Sequence, residues 1–187
     1  MTYELYHHGI LGQRWGIRRF QNKDGSLTEA GKKRNLQLHE TTEKYLYQKR
    51  DSPGLKKAAK ATLERGRLRG KSDQETIFET QERAVEKMEA YADLAKTIMD
   101  INPSINDPDF QHAYKTIVTQ RNAANRGYMY LSEEMSRQAG LFNKRLSNTD
   151  LKRAEDLGRR WEAAYDGTMS EFDTRYLPSE MKEKFDF

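Results

Sequence analysis

Residues 72–101 have the sequence SDQETIFETQERAVEKMEAYADLAKTIMDI, which is the most strongly periodic stretch of the chain. Steps of four and three residues give the row Ile77, Gln81, Ala84, Met88, Tyr91, Ala95 and Ile98, and a second row beside it, Phe78, Val85, Ala92 and Met99. A mean spacing of about 3.5 residues keeps one apolar stripe of a helix against one partner helix. The pattern therefore predicts a long helix, which the capping box at Ser72–Glu75 begins.

A second long helix is predicted over residues 108–145. The same steps give Phe110, Tyr114, Ile117, Arg121, Ala124, Tyr128, Leu131, Met135, Gln138 and Phe142. The connection, residues 102–107, is short and contains Pro103, so the two helices are expected to be antiparallel neighbours.

Helix signals also dominate the rest of the chain from Ser26 onward. A capping box at Ser26–Glu29 predicts a helix to about Arg50, and a shorter basic helix, weakened by Gly66, is expected over 55–68. After residue 148 a helix is expected until Asp166–Gly167 interrupts it, followed by short pieces over 170–176 and 178–184. No alternating strand pattern occurs in this region. The prediction is an all-α fold, an elongated helical bundle built on the long antiparallel hairpin.

The first 25 residues differ in kind, because Gly9, Gly12 and Gly16 disfavour a helix. The Asp24–Gly25 pair is typical of a tight turn between two extended segments. We expect a small N-terminal hairpin or extended arm.

The amino-acid composition excludes several classes of protein and of functional site. Apolar residues make up 35% of the 187 residues and charged residues 33%, against about 25% charged in typical domains. Such a chain is either elongated or finishes burying its surface on a partner. Without Cys, disulfides, thiolate metal sites and a cysteine nucleophile are excluded. No apolar run approaches about 20 residues and no signal peptide is recognisable, so a soluble intracellular protein is expected.

Charge divides the chain at residue 71. Residues 1–71 hold 17 Lys and Arg against 7 Asp and Glu, whereas residues 72–187 hold 16 against 22. We therefore distinguish a basic N-terminal arm (1–25), a basic helical segment (26–71) and an acidic helical bundle (72–187). The asymmetry indicates a polyanion contact, or two parts that face each other.

Residues 7–34, HHGILGQRWGIRRFQNKDGSLTEAGKKR, carry a resemblance to a known module. They resemble the sequence HHGIxGxKWGxRRYQNxDGSLTxxGxxRY, which recurs at the ends of otherwise different head-associated and hypothetical proteins of phages and prophages of gut Firmicutes. The departures are Arg14, where Lys is usual, Phe20, where Tyr is usual, and Asn35, where Tyr is usual. The resemblance covers 28 of 187 residues. It implies phage origin, hence the cytoplasm of a bacterial host during infection or from a prophage, and carries no catalytic role.

The whole chain is also similar in type to the type II-A anti-CRISPR proteins, which inhibit Cas9. The similarity lies in class alone: a small, Cys-free, highly charged helical protein of phage origin. It implies a large nucleoprotein partner, namely the complex of Cas9 with its guide RNA.

Metal binding and catalysis find little support in the sequence. His7 and His8 are adjacent, and only His39 and His112 remain as partners, without the i,i+4 spacing of typical metal ligands. Pairs of neighbouring carboxylates, which could serve in acid–base catalysis, lie on predicted helices that are also rich in Lys and Arg. This pattern is typical of solvent-exposed helices. No metal, no cofactor and no enzymatic activity are expected.

The candidate site is basic and lies before residue 72. It contains two groups of residues: Arg14, Trp15, Arg18 and Arg19 in the arm, and Lys56, Lys57, Lys60, Arg65, Arg67, Arg69 and Lys71 in the following segment. Cations interleaved with aromatic rings are typical of surfaces that bind nucleic acid. The alternative is that these cations pair with the acidic helix 72–101, at Glu75, Glu79, Glu82 and Glu86.

The sequence favours a non-enzymatic phage protein that inhibits a host defence nuclease, with the Cas9–guide RNA complex as the leading partner. A structural or assembly protein of the phage head is the alternative, because a long helical hairpin suits a scaffold. A DNA-binding regulator is the third possibility. Association of two copies through the apolar seam is also expected, unless the last helix with Trp161 and Tyr165 covers that seam.

Overall fold

The computed structural model describes residues 19–100, 107–142 and 144–176, with side chains described except at 99 and 166–176. Within these residues the chain is an all-α bundle, as predicted. Its five helices are α1 (Glu29–Tyr45), α2 (Pro53–Leu68), α3 (Asp73–Asp100), α4 (Pro108–Gln138) and α5 (Asn148–Tyr176). The described part has no strand; an isolated antiparallel bridge joins Gln21 to Leu27.

Helices α3 and α4 form the predicted antiparallel hairpin. Ile77 and Ala84, early in α3, share a core cluster with Leu131 of late α4. Ala95, late in α3, instead packs with Phe110 near the start of α4. The order of contacts is therefore reversed between the two helices. The 3.5-residue spacing marks the seam correctly because its members face one partner helix.

The second apolar row of α3 has a different partner. Phe78 and Val85 form a cluster with Leu157 of α5, and Trp161 packs against it. Thus α3 lies between α4 and α5 and buries a separate row against each. The last helix covers the flank of α3 beside the seam.

Helices α1 and α2 form a second antiparallel pair that joins the same core. The hydroxyls of Thr42 and Thr62 lie 3.0 Å apart across the pair. Leu55 and Leu63 of α2 are buried in the cluster that also contains Leu131. The basic segment before residue 71 and the acidic bundle after it therefore share one hydrophobic core.

The corner between α2 and α3 depends on Gly66. A Cβ built at this position would lie 1.9 Å from the Thr76 Oγ1 atom and 2.9 Å from its Cβ, so only glycine allows the two helices to approach. Gly70, with φ of 77°, ends α2 in a Schellman motif, in which the Lys71 N–H donates to the Gly66 carbonyl at 3.0 Å. Gly66, expected to weaken the helix, is thus a packing position.

Helix α1 is shorter than predicted at both ends. Thr28, and not Ser26, is the N-cap, since its hydroxyl accepts from the Gly31 N–H at 3.1 Å. The Ser26 hydroxyl instead donates to the Asp24 carboxylate at 2.7 Å. The helix ends at Tyr45 instead of about Arg50, and Leu46 just beyond it is fully buried.

Two other boundaries were predicted wrongly. Helix α4 ends at Gln138 instead of residue 145, because Gly140 adopts φ of 64° and the Leu141 N–H donates to the Ser136 carbonyl at 2.9 Å. Phe142, predicted for the buried row, is consequently 61% exposed.

Helix α5 continues through 166–167 to Tyr176, because a lone interior glycine costs a helix only about 1 kcal/mol. The piece predicted over 178–184 lies outside the described residues.

Only the last part of the N-terminal arm is described. The turn at Asp24–Gly25 is present, with Gly25 at φ of 86°. The Gln21 side-chain amide donates to the Leu68 carbonyl at 2.6 Å, which ties this turn to the end of α2. The remainder of the predicted arm, residues 1–18, lies outside the described residues.

Two helical glycines give a matched test of the α2–α3 corner. Gly66→Ala should lower the free energy of unfolding by about 1–3 kcal/mol through overpacking against Thr76. Gly158→Ala should raise it by up to about 1 kcal/mol, because nothing lies within 4 Å of a Cβ built there and alanine favours the helix. Urea unfolding measures both. Equal effects of the two substitutions would contradict the packing role of Gly66.

Two leucines test the hairpin as the stability core. Leu131 is 1% exposed at the centre of the main cluster, whereas Leu151 of α5 is 43% exposed. Leu131→Ala should cost about 2–5 kcal/mol, and Leu151→Ala less than about 1 kcal/mol. Thermal unfolding followed by circular dichroism distinguishes the two, and a similar loss for both would show that the core is placed wrongly.

Candidate nucleic-acid interface

The arm contributes one described residue to the predicted site. Arg19 is exposed, and its guanidinium lies 5.2 Å from the centre of the Phe20 ring. Arg14, Trp15 and Arg18 lie outside the described residues. The described part of the candidate site is therefore mainly the segment from Lys56 to Lys71.

The last three cations of this segment have carboxylate partners at the start of α3. Arg67 makes two hydrogen bonds to Asp73, at 2.7 and 2.6 Å, which raise its pKa above the ordinary value. Arg69 donates to Glu79 at 3.2 Å, and Lys71 also pairs with Glu79. The Schellman turn at the end of α2 brings these cations beside the first turns of α3. In this part of the segment the cations pair with the acidic helix α3, which is the alternative that the sequence left open.

Arg65 is also held inside the fold, although not by a carboxylate. Its guanidinium donates to the Asn35 side-chain oxygen at 3.1 Å and lies 3.2 Å from the His39 Nδ1 atom, both on α1. Partial burial lowers the pKa of Arg65 from its ordinary value. Its hydrogen bonds join α1 to α2.

Two further acidic residues of α3 pair with arginines of α5. Glu82 pairs with Arg153 at 3.0 Å, and Glu89 makes two hydrogen bonds to Arg160, at 2.8 and 2.7 Å. These bonds hold the pKa of the Glu89 carboxyl below its ordinary value. The sequence analysis missed these partners, because residues about 71 positions apart are related only by the packing of α5 on α3.

Lys56, Lys57 and Lys60 remain on the surface of α2. All three are exposed, and none forms an ion pair with a carboxylate of the described residues. They share one face, because side chains three and four residues apart are neighbours on a helix. The ammonium groups of Lys57 and of Lys44 on α1 lie 5.9 and 5.4 Å from the centre of the Tyr45 ring.

We name Lys44, Lys56, Lys57 and Lys60 the lysine face. Its cations are exposed and grouped beside an aromatic ring, so they are placed to contact the phosphates of a polyanion. Lys44 was missed by the sequence analysis, since its proximity to Lys57 follows only from the antiparallel pairing of α1 and α2. The lysine face retains three of the seven cations predicted in the 56–71 segment.

Residues 19–100, 107–142 and 144–176 contain no group of three His, Asp or Glu placed to hold a metal ion. In the same ranges, no helix combines the length and the apolar character that crossing a bilayer requires.

Comparisons with known proteins add no relative to these observations. The chain matches no family model, no curated protein and no solved structure.

Two charge-reversed triple variants separate the internal cations from the exposed ones. The variant R67E/R69E/K71E places glutamates against Asp73 and Glu79, and should lose at least about 1 kcal/mol of stability, or about 2–4 °C in melting temperature. The variant K56E/K57E/K60E carries the same change in net charge on the lysine face and should melt within about 1 °C of the parent. Differential scanning calorimetry measures both. Equal melting temperatures would contradict the internal charge pairing.

Proposed function

We propose that this protein is a non-enzymatic phage protein that binds a nucleoprotein and inhibits a host defence nuclease, with the Cas9–guide RNA complex as the leading target. The observation that carries the proposal is the lysine face, four exposed lysines grouped on α1 and α2. Phage origin is implied by the resemblance of residues 7–34. In the proposed mechanism, the lysine face binds phosphates of the nucleic acid, and the nuclease can then no longer engage them.

The proposed binding is electrostatic and therefore sensitive to salt. Each phosphate that a lysine neutralises releases condensed counterions and adds about 0.7–0.9 to the slope of log Kd against log salt concentration. Four lysines give a slope of roughly 3. The internal pairing of Arg67, Arg69 and Lys71 removes them from this estimate.

We expect K56E/K57E/K60E to reduce the salt slope to about 1 or less and to abolish inhibition of target cleavage by the Cas9–guide RNA complex. The matched control K96E/K115E/K152E changes net charge equally at exposed lysines of α3, α4 and α5, and should retain the slope and the inhibition. Binding of each variant to the Cas9–guide RNA complex is measured by fluorescence anisotropy over a range of salt concentrations. Equal loss in both variants would show an effect of net charge alone, and undiminished inhibition by K56E/K57E/K60E would contradict the proposal.

A role in phage head structure or assembly is the second candidate. It is supported by the length of the hairpin, since α3 has 28 residues and α4 has 31. A pull-down from host lysate, with and without nuclease treatment, distinguishes the two functions. Recovery of an RNA-guided effector supports inhibition, recovery of coat or portal protein supports assembly, and recovery of DNA alone indicates a regulator.

A further inference from the structure

An open groove is formed by α3, α4 and α5. Its floor is α3 at Ala84 and Val85, and its walls are α4 and α5. Both walls pack on α3, whereas packing between α4 and α5 is sparse in the described residues. The cavity has a volume of about 750 Å³.

The shape of the groove suits an elongated occupant. Along α4 it extends from Asn125 to Ser136, which is roughly 16 Å at about 1.5 Å per residue, or three helical turns. On the opposite wall, Gly158 has nothing within 4 Å of a Cβ built on it, so a partner can approach the α5 backbone closely. These dimensions fit an α-helix lying between α4 and α5.

The lining of the groove is mostly apolar. Leu157 and Trp161 line the α5 wall, and Met129 and Phe142, on the other side, are 51% and 61% exposed. Exposed side chains of this size are the anchors that a helix-in-groove interface uses. The groove therefore offers apolar contacts that the chain itself leaves unused.

The polar groups of the lining define the chemistry of the occupant further. Its charged members, Glu133 and Glu162, are both carboxylates; Glu133 is already paired with Arg50 and Arg137, whereas Glu162 is exposed. No Lys or Arg lines the groove within the described residues. Ser132, on the α4 wall, is 7% exposed, and its hydroxyl has no hydrogen-bond partner in the described part of the chain. A buried unpaired hydroxyl is unfavourable, and a polar group of an incoming partner would satisfy it.

We infer that this groove binds an amphipathic α-helix of a partner protein, with an apolar face that enters the groove and Lys or Arg on the flank beside α5. The apolar lining selects the inner face of that helix, and the exposed carboxylate of Glu162 on α5 selects the charge of that flank. The inference is independent of the proposed function, because the groove and the lysine face have no residue in common.

The test uses Trp161 as an internal reporter. The chain has two Trp, so W15F leaves Trp161 as the sole tryptophan. The probe is the synthetic peptide LKKLLKLLKKLLKL, an amphipathic helix of about 21 Å at about 1.5 Å per residue. We expect saturable binding with a change in Trp161 emission. A peptide with Glu in place of Lys should bind at least tenfold more weakly, and so should a peptide of the same composition without helical periodicity.

Variants of the groove make the test specific. G158L adds a side chain to the α5 wall at a position where a Cβ has nothing within 4 Å, and should weaken binding of the Leu/Lys peptide at least tenfold by occupying the groove. E162K should weaken it several-fold, whereas the matched control D93K, at an exposed position of α3 outside the groove, should not. Circular dichroism melting of each variant verifies that the fold is retained.

Three results would overturn the inference. Equal binding of the Leu/Lys peptide to G158L and to the parent would place the binding elsewhere. Preference for the Glu-substituted peptide would contradict the assigned charge. Sedimentation equilibrium that shows a dimer, dissociated by G158L, would identify the occupant as a second copy of this chain. The variant K56E/K57E/K60E should bind the Leu/Lys peptide no more weakly than the parent, so failure of this inference and failure of the proposed function are distinguishable.

Discussion

The arrangement of the bundle depends on the two apolar rows of α3. One row, which includes Ile77 and Ala84, packs on α4, and the other, Phe78 and Val85, packs on α5. Because the rows lie side by side on one helix, the two partner helices are held on adjacent flanks, separated by the width of α3. The groove between α4 and α5 follows from this geometry, because both helices pack on α3 and pack only sparsely on each other in the described residues.

The distribution of charge follows from the same central helix. Its first turn carries Asp73, which the helix dipole favours near a helix N-terminus, and Glu79 follows in the second turn. The tight α2–α3 turn then places Arg67 and Arg69 opposite them. Part of the excess positive charge before residue 71 therefore neutralises carboxylates of the next helix. What remains available for a partner is the charge that this turn does not reach, on the far part of α2.

Local patterns predicted the helices and the hairpin well, since periodicity reports which face of a helix is buried. Boundaries were less accurate, because Ser26 and Thr28 are both good caps; in the structure the Ser26 hydroxyl bonds to Asp24, and the Thr28 hydroxyl accepts from the Gly31 N–H. The candidate site was predicted only in part. Arg65 and Lys57 have the same apparent character in sequence, yet one bonds to α1 and the other is exposed. That difference depends on how α1 packs on α2, which composition and spacing do not encode.

The low apolar content of the chain is consistent with this architecture. In the described residues α5 packs mainly on α3, so much of its surface, including half-exposed Leu151, has no partner helix. Helices α1 to α4 share one core, whereas α5 joins it mainly through α3, and a bundle with such an outlying helix exposes more surface per residue. Two surfaces result, a basic one on α1 and α2 and a mainly apolar one between α4 and α5 that includes the exposed Glu162. Their different chemistry suits them to different partners, and separate residues allow each to be altered without the other.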